Sequence, residues 1–319
     1  MSFFYRTNPD LRRMEFGKLP SVDSVDFTLP PEPNSNADFM RRFPANKDRP
    51  QIFLGATGYN MRAWVGKWYP AKAKPADYLR HYGAQFNTIE HNTTHYRIPD
   101  LATIERWREE VPDDFRYCPK IPQTISHARD LGLSGPEIGM FCQAIRPLGA
   151  KLGCCFLQLP PYFKEEQVPV LERFLRVFPH REIPLAVEVR HESFFQPSPA
   201  SAYFFQLLEN EAVPAVITDV AGRRDVCHMR LTSPCTMIRF VGNGLHPTDF
   251  SRLDAWANRL AVWFGQGLRS VYFFCHEPDN LLAPELTAYA ATAFSTVFPR
   301  AILRGPKPEA LPPQQGTLF

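Results

Sequence analysis

The sequence predicts an α/β fold of the (β/α)8, TIM-barrel-like kind, built as a single domain. Eight short apolar runs recur between residues 51 and 275, and amphipathic, helix-like stretches fill most of the gaps between them. The runs start 35, 29, 39, 30, 30, 22 and 34 residues apart, mostly the spacing of one strand plus one helix. About 255 residues lie between two Pro-rich ends, close to the roughly 250 of one closed barrel.

QIFLGAT (51–57) is the first strand, with a helix expected over 75–82. FNTIEH (86–91) and FRYCPK (115–120) follow, with helices over 101–110 and 137–148. CCFLQL (154–159) and PLAVEV (184–189) are the fourth and fifth strands, with helices over 167–177 and 201–210. PAVITD (214–219) starts only 22 residues before the next run, too few for strand plus helix, so an elaborated loop, VAGRRDVCHMRLTSPC, is expected there. TMIRFV (236–241) and SVYFFC (270–275) complete the set, with helices over 249–265 and 284–294. Runs apolar on both faces need cover on both sides, which a parallel sheet ringed by helices supplies. An open doubly wound sheet is the alternative, but no Gly-rich phosphate turn follows the first strands.

The chain has 319 residues, of which 32 are Pro, about twice the ~5% average. Seven fall before residue 51, including Pro30, Pro31 and Pro33 beside Asn34, Ser35 and Asn36. Residues 1–49 therefore read as an extended Pro-rich arm rather than a packed element, 50–303 as the barrel, and 304–319 as a flexible tail. Lys+Arg 36 against Asp+Glu 33 leaves +3, too balanced to indicate nucleic-acid or membrane binding by itself. No run of eighteen apolar residues and no signal-peptide pattern is present, so a cytoplasmic protein without a membrane partner is expected. The seven Cys are scattered with no C-x-x-C and read as buried thiols.

Barrel enzymes place their sites at the C-terminal ends of the strands. There this chain carries Glu90 and Asn92, Lys120 leading to His127, Gln158, Glu188 with Arg190 and His191, Asp219, Arg239, and His276 with Glu277. Ionisable groups ending apolar strands must converge on one another or on a ligand. Glu188 and Arg190 share a strand face and form either a structural ion pair or part of a site. Lys120 and Glu90 either neutralise each other or act as anion ligand and acid/base group. Asp219 is a loop cap or a partner for Arg239, whose planar fork needs a carboxylate or phosphate. His127 is a candidate proton shuttle. Glu90 and Glu188 serve as acid and base if their environments split their pKa values.

His127, Glu188, His191, Asp219 and His276 are of metal-ligating type, so a divalent metal is conceivable. However, Lys120, Arg190 and Arg239 would repel it, and no cofactor is required by the sequence. The cationic trio points instead to a small anionic or sugar-like ligand. Tyr59, Trp64 and Tyr96, with Trp68 and Tyr69, either wall a sugar or base or pack the core and lid.

At these residues the chain resembles the DUF72 (YecE-like) family over nearly all of residues 51–300. The matching stretches include GATGYNMRAWVGKWYP (55–70), FNTIEHNTTHYRIP (86–99), FRYCPKIPQTISH (115–127), LGCCFLQLPPYF (152–163), LAVEVRHESFF (185–195), ITDVAGRR (217–224) and MIRFVGN (237–243). The resemblance implies a TIM-barrel-like fold with a shared polar cavity, and no particular reaction. It carries over Glu90, Asn92, Lys120, His127, Gln158, Glu188, Arg190, His191, Asp219 and Arg239 as site residues. Family members often show Phe where His95 stands and Asn-Asn where this chain has Cys275 and His276, which leaves strand 8 open.

The chain ends in Q-x-x-L-F, from Gln315 to Leu318 and Phe319, after a Pro-rich spacer. This pentapeptide resembles the peptide by which bacterial DNA-processing enzymes hold the sliding clamp, Gln in a small pocket and Leu and Phe in an apolar groove. The alternative is a patch that docks back on the barrel. Two functions follow. One is an enzyme doing acid/base, hydrolytic or isomerising, chemistry on an anionic sugar-like or nucleotide-derived compound. Its catalytic residues are Glu90, Glu188, Lys120, His127 and Asp219, and its substrate contacts are Asn92, Gln158, Arg190, His191, Arg239, Tyr59, Trp64 and Tyr96. The other is a clamp-tethered nucleic-acid-binding or DNA-repair accessory.

Overall fold

Each of the eight apolar runs forms a strand in the computed structural model, which describes residues 16–43 and 49–309. The strands are β1 Gln51–Ala56, β2 Thr88–His91, β3 Arg116–Pro119, β4 Cys155–Gln158, β5 Leu185–Glu188, β6 Ile217–Asp219, β7 Cys235–Val241 and β8 Ser270–His276. The α-helices are α1 Ser35–Met40, α2 Tyr78–Gln85, α3 Thr93–Tyr96, α4 Leu101–Glu110, α5 Gln123–Ser126, α6 Glu137–Ile145, α7 Val168–Val177, α8 Pro199–Glu211, α9 Pro247–Gln266 and α10 Ala283–Val297. Helix boundaries follow capping chemistry. Asp100 accepts from the Thr103 amide at the start of α4, and Ser198 accepts from Ser201 with Pro199 opening α8. Pro247 opens α9, which ends at Gly267 with φ 120°.

All strand pairs are parallel. Six strands run in the order β3-β2-β1-β8-β7-β6, and β4 pairs with β5. The pairing of β1 with β8 joins the first strand to the last, as a cylinder demands and an open doubly wound sheet does not. Isolated parallel bridges span the two seams, Lys120 with Phe156 and Val187 with Ala215. Pro119 and Pro214 lie at these seams and lack the N–H that would lengthen the ladder. The fold is TIM-barrel-like.

Strand alternation sorts the barrel interior into layers. Cys118, Phe156, Ala186, Val216, Met237 and Phe274 form a buried apolar floor. The side chain two residues further along each of these six strands is polar: Lys120, Gln158, Glu188, Thr218, Arg239 and His276. The opposite faces of the strands, with the helices, form the larger outer core, in which Trp64, Tyr82, Trp256 and Trp263 are fully buried.

The N-terminal segment departs from the extended, unpacked arm expected of its composition. Phe39 and Met40 of α1 are buried against the α9 side of the core. The buried Asn36 amide donates to Met229 O and accepts from the Leu231 amide, both at 2.9 Å. Residues 16–23 cross the mouth of the barrel, where the Gly222 amide donates to Gly17 O at 2.8 Å. Proline removes backbone donors but not side-chain anchors, and these anchors hold the segment down. At the other end Arg304 donates to Gly83 O at 2.6 Å and pairs with Asp114, so the start of the tail is also packed. Among the described residues, no helix is long and apolar enough to cross a membrane. All seven Cys are free thiols, and six of them are buried.

Candidate functional site

The polar layer at the C-terminal rim forms one connected net around Arg239. Its Nε and Nη2 donate to the two Glu90 oxygens at 2.9 and 3.1 Å, and Nη1 donates to both Glu188 oxygens at 3.0 Å. Arg190 Nε donates to Glu188 Oε1 at 2.9 Å, and Gln158 Nε2 donates to Glu188 Oε2 at 2.8 Å. Gln158 and Glu188 can meet because they are register partners across β4 and β5. Lys120 Nζ donates to Gln158 Oε1 at 2.8 Å, Asn92 Nδ2 donates to Glu90 Oε1 at 3.0 Å, and His276 Nε2 lies 2.9 Å from Glu90 Oε2.

The charges are arranged with a definite sense. Burial alone would raise the Glu188 pKa, but Arg239 and Arg190 outweigh it and hold the carboxyl at about 2. Glu90 is likewise buried, yet Arg239 and His276 keep it well below the usual carboxylate range. Both carboxylates are therefore shifted the same way. The expectation that they split into an acid and a base is corrected: they are counter-ions that fix Arg239. Lys120 differs, since burial and the Arg239 guanidinium lower its ammonium to about 8 against the pull of both glutamates.

A cavity of about 720 Å³ opens over this net, lined by Arg190, Thr218, Arg239, His276 and Glu277 and roofed by residues 16–23. A second, of about 480 Å³, is bounded by His127, Gln158, Arg190 and Arg223 and shares Phe16 to Leu19 with the first. The Phe16 ring lies 4.4 Å from the Arg190 guanidinium and 5.2 Å from that of Arg223. Among the described residues, the Nη groups of Arg190 take no hydrogen-bond partner.

The predicted residues divide clearly. Glu90, Asn92, Lys120, Gln158, Glu188, Arg190 and Arg239 are brought together in the net. His127 borders the smaller cavity, with Nδ1 2.9 Å from Ser126 Oγ, and its partial burial and Lys120 lower its pKa. Asp219 is not in the site. It is fully buried and accepts from Trp256 Nε1 at 2.8 Å and Arg252 Nε at 3.2 Å, and it also pairs with Arg224. Alternation explains this, because Thr218 is the Cα partner of Arg239 across β6 and β7 and shares its face, which sends Asp219 outward to α9.

His191 caps the short 3-10 turn Glu192–Phe195, its Nδ1 accepting from the Ser193 amide. The aromatic wall is also corrected. Trp64 is buried and donates to Leu281 O, Tyr59 packs against Tyr82 and His91, and Tyr96 is exposed with its ring against His95. None of the three lines either cavity. Gln315, Leu318 and Phe319 lie outside the described residues. Among the described residues, no group of three or more His, Cys, Asp or Glu side chains could hold a metal ion.

Sequence reasoning missed Thr218 and the strap at 16–23 as cavity walls. It placed His276 and Glu277 at the end of strand 8 without committing either to the site. The period-two pattern could have found Thr218, since Thr218 rather than Asp219 continues the inward face of Val216.

The family model described as "Protein of unknown function DUF72" matches residues 53–311. The UPF0759 protein YecE of Escherichia coli (strain K12) is 33% identical over 288 residues, covering 84% of this chain and 100% of that protein. The UPF0759 protein YunF of Bacillus subtilis (strain 168) is 29% identical over 156 residues, 46% of this chain and 53% of that protein. A crystal structure of a DUF72 family protein from Enterococcus faecalis V583 superposes with a TM-score of 0.63 at 19% identity, covering 82% of this chain and 100% of that one. One from Thermotoga maritima MSB8 gives 0.57 at 22% identity, covering 77% and 98%.

Proposed function

The chain belongs to the DUF72 family, and on that premise we propose that it is an enzyme that binds a small anionic molecule over the Arg239 net and moves a proton on it through Lys120. The observation that carries this reading is the Lys120 amine. It sits 2.8 Å from Gln158 Oε1, beside two paired carboxylates and two guanidinium groups, and is brought to about 8 by burial and Arg239. A lysine tuned toward neutrality loses and regains its proton near physiological pH, as general acid/base catalysis requires.

The charge balance supports an anion. Glu90 and Glu188 are matched by Arg239 and Arg190, and Lys120 then leaves the net positive. The Nη groups of Arg190 supply a fork for a phosphate or carboxylate in the wall of a cavity of about 720 Å³. Because Glu90 and Glu188 are both held ionised, they position Arg239, and proton transfer falls to Lys120, which lines neither cavity itself but donates to Gln158 in the wall of the smaller one, with His127 in the same wall. Hydrolysis and isomerisation both use such a group.

A thermal-shift panel of sugar phosphates, nucleotides and divalent metals tests the proposal. Anions are expected to raise the melting temperature, and Arg190→Gln is expected to remove the effect. A panel in which no anion stabilises the protein, or in which Arg190→Gln responds like the parent, contradicts it.

A further inference from the structure

The strap at residues 16–23 crosses the mouth of the barrel ahead of the stretch matched by the family model, which begins at residue 53. Its one aromatic ring, Phe16, is half-buried and lies against charged groups rather than in the apolar core. We infer that Phe16 is a positioning residue for Arg190, so that a segment outside the matched family region completes the anion site. The inference rests on the anion-binding reading above and adds a residue to that site.

The guanidinium carbon of Arg190 lies over the Phe16 ring, 4.4 Å from its centre. The negative face of an aromatic ring attracts a cation without neutralising it. This sets Arg190 apart from its neighbours. Arg239 is engaged by two carboxylates, and Arg223 is gripped by both oxygens of Asp225 at 2.8 and 2.6 Å. Arg190 touches Glu188 through Nε, which leaves its Nη groups for a ligand but fixes a long side chain at one edge alone. Phe16 supplies the second contact. A fork held in place before the ligand arrives avoids the entropy cost of ordering it in the complex.

Backbone geometry keeps the ring at that position. The Gly222 amide donates to Gly17 O at 2.8 Å. Gly17 has φ +73°, and a Cβ there would lie 2.8 Å from Val220 Cγ2, while a Cβ on Gly222 would lie 2.8 Å from Gly17 O. Both sides of this contact therefore require glycine. Arg223 ties the parts together, since its guanidinium lies 5.2 Å from the same ring and its Nη1 donates to Arg190 O at 3.0 Å. The loop after β6 thus carries the strap, and the strap carries the ring to Arg190.

Calorimetric titration of the full-length protein with inorganic phosphate tests the inference in Phe16→Tyr and Phe16→Leu. Tyrosine keeps the ring face and should bind within about twofold of the parent. Leucine keeps apolar bulk without the face and should bind about fivefold more weakly, the worth of one cation–π contact, at the parent's melting temperature. The Arg190 Nε–H resonance, assigned by its loss in Arg190→Gln, should carry a ring-current shift in the parent and in Phe16→Tyr that Phe16→Leu lacks. A leucine variant that binds like the parent, a tyrosine variant as weak as leucine, a loss of affinity accompanied by a lower melting temperature, or an Arg190 resonance that does not move overturns the positioning role and leaves the anion site standing. Failure of the parent to bind phosphate overturns it together with the anion-binding proposal.

Discussion

Both carboxylate oxygens of Glu188 accept from the same Nη1 of Arg239, each at 3.0 Å, while the other edge of that guanidinium spans Glu90. One arginine therefore locks strands 2, 5 and 7 at the rim. Burial makes the loss of Arg239 costly, because it leaves two buried carboxylates with Arg190 as their one remaining guanidinium partner among the described residues, beside His276, Gln158 and Asn92.

Arg239→Met is accordingly expected to destabilise the fold by about 3–5 kcal/mol. The triple variant Glu90→Gln, Glu188→Gln, Arg239→Met should be less destabilised than Arg239→Met alone, since it removes the stranded charges. Urea unfolding of the two variants measures the difference. A triple variant worse than the single one would mean that the net contributes attraction beyond what its desolvation costs.

Asp219→Asn tests the outward assignment. It should lower stability by about 2–4 kcal/mol, because Arg252 is left buried with a weaker partner. Anion affinity should stay within about twofold, since Asp219 faces α9 and not the cavity. A tenfold loss of anion affinity with unchanged stability would return Asp219 to the site.

The pH dependence has two arms. Glu188 is depressed to about 2, so its contribution is fully present above the ordinary carboxylate pKa and is lost as pH falls toward 2. Glu277 is raised to about 7, so its protonated form favours the folded state. That contribution is present below pH 4.5 and is lost as pH rises to 7. Glu277→Gln should therefore flatten the stability profile between pH 4.5 and 7 and leave the acid limb unchanged. Chemical denaturation across pH reads both arms, and a profile identical to the parent between 4.5 and 7 would place the Glu277 pKa in its ordinary range.

Deleting residues 315–319 is expected to leave the melting temperature and anion affinity unchanged, since the described barrel and both cavities are built from other residues. The same deletion separates the two functional readings. Loss of binding to a purified bacterial sliding clamp would support the tethered accessory role, and unchanged binding would remove it.

Much of the architecture was legible because its signal is local. Apolar runs between Pro and Gly punctuation marked all eight strands, and Leu101–Glu110 is helical over the span its amphipathic pattern indicates. The net was legible because ionisable residues ending apolar strands have few places to go. Pairings decided by distant partners were not readable. Asn36 is held by Met229 and Leu231, and Gly17 by Gly222, all far along the chain, so a Pro-rich segment packs on the barrel. In the three-residue β6, one step of alternation decided between Thr218 and Asp219, and the more ionisable residue drew the assignment to the wrong face. Trp64 was misread because its ring packs on Tyr69, Tyr82 and Phe86 while its indole N–H is satisfied by Leu281 O, 217 residues along the chain.

The account depends most on the rim being a working anion site, and phosphorus NMR titration of inorganic phosphate tests that most directly. The parent protein should show saturable binding in the millimolar range or tighter, weakened at least about tenfold in Arg190→Gln, as expected for losing one charge-assisted contact. Phosphate that fails to saturate the parent, or that binds Arg190→Gln equally well, would contradict the account.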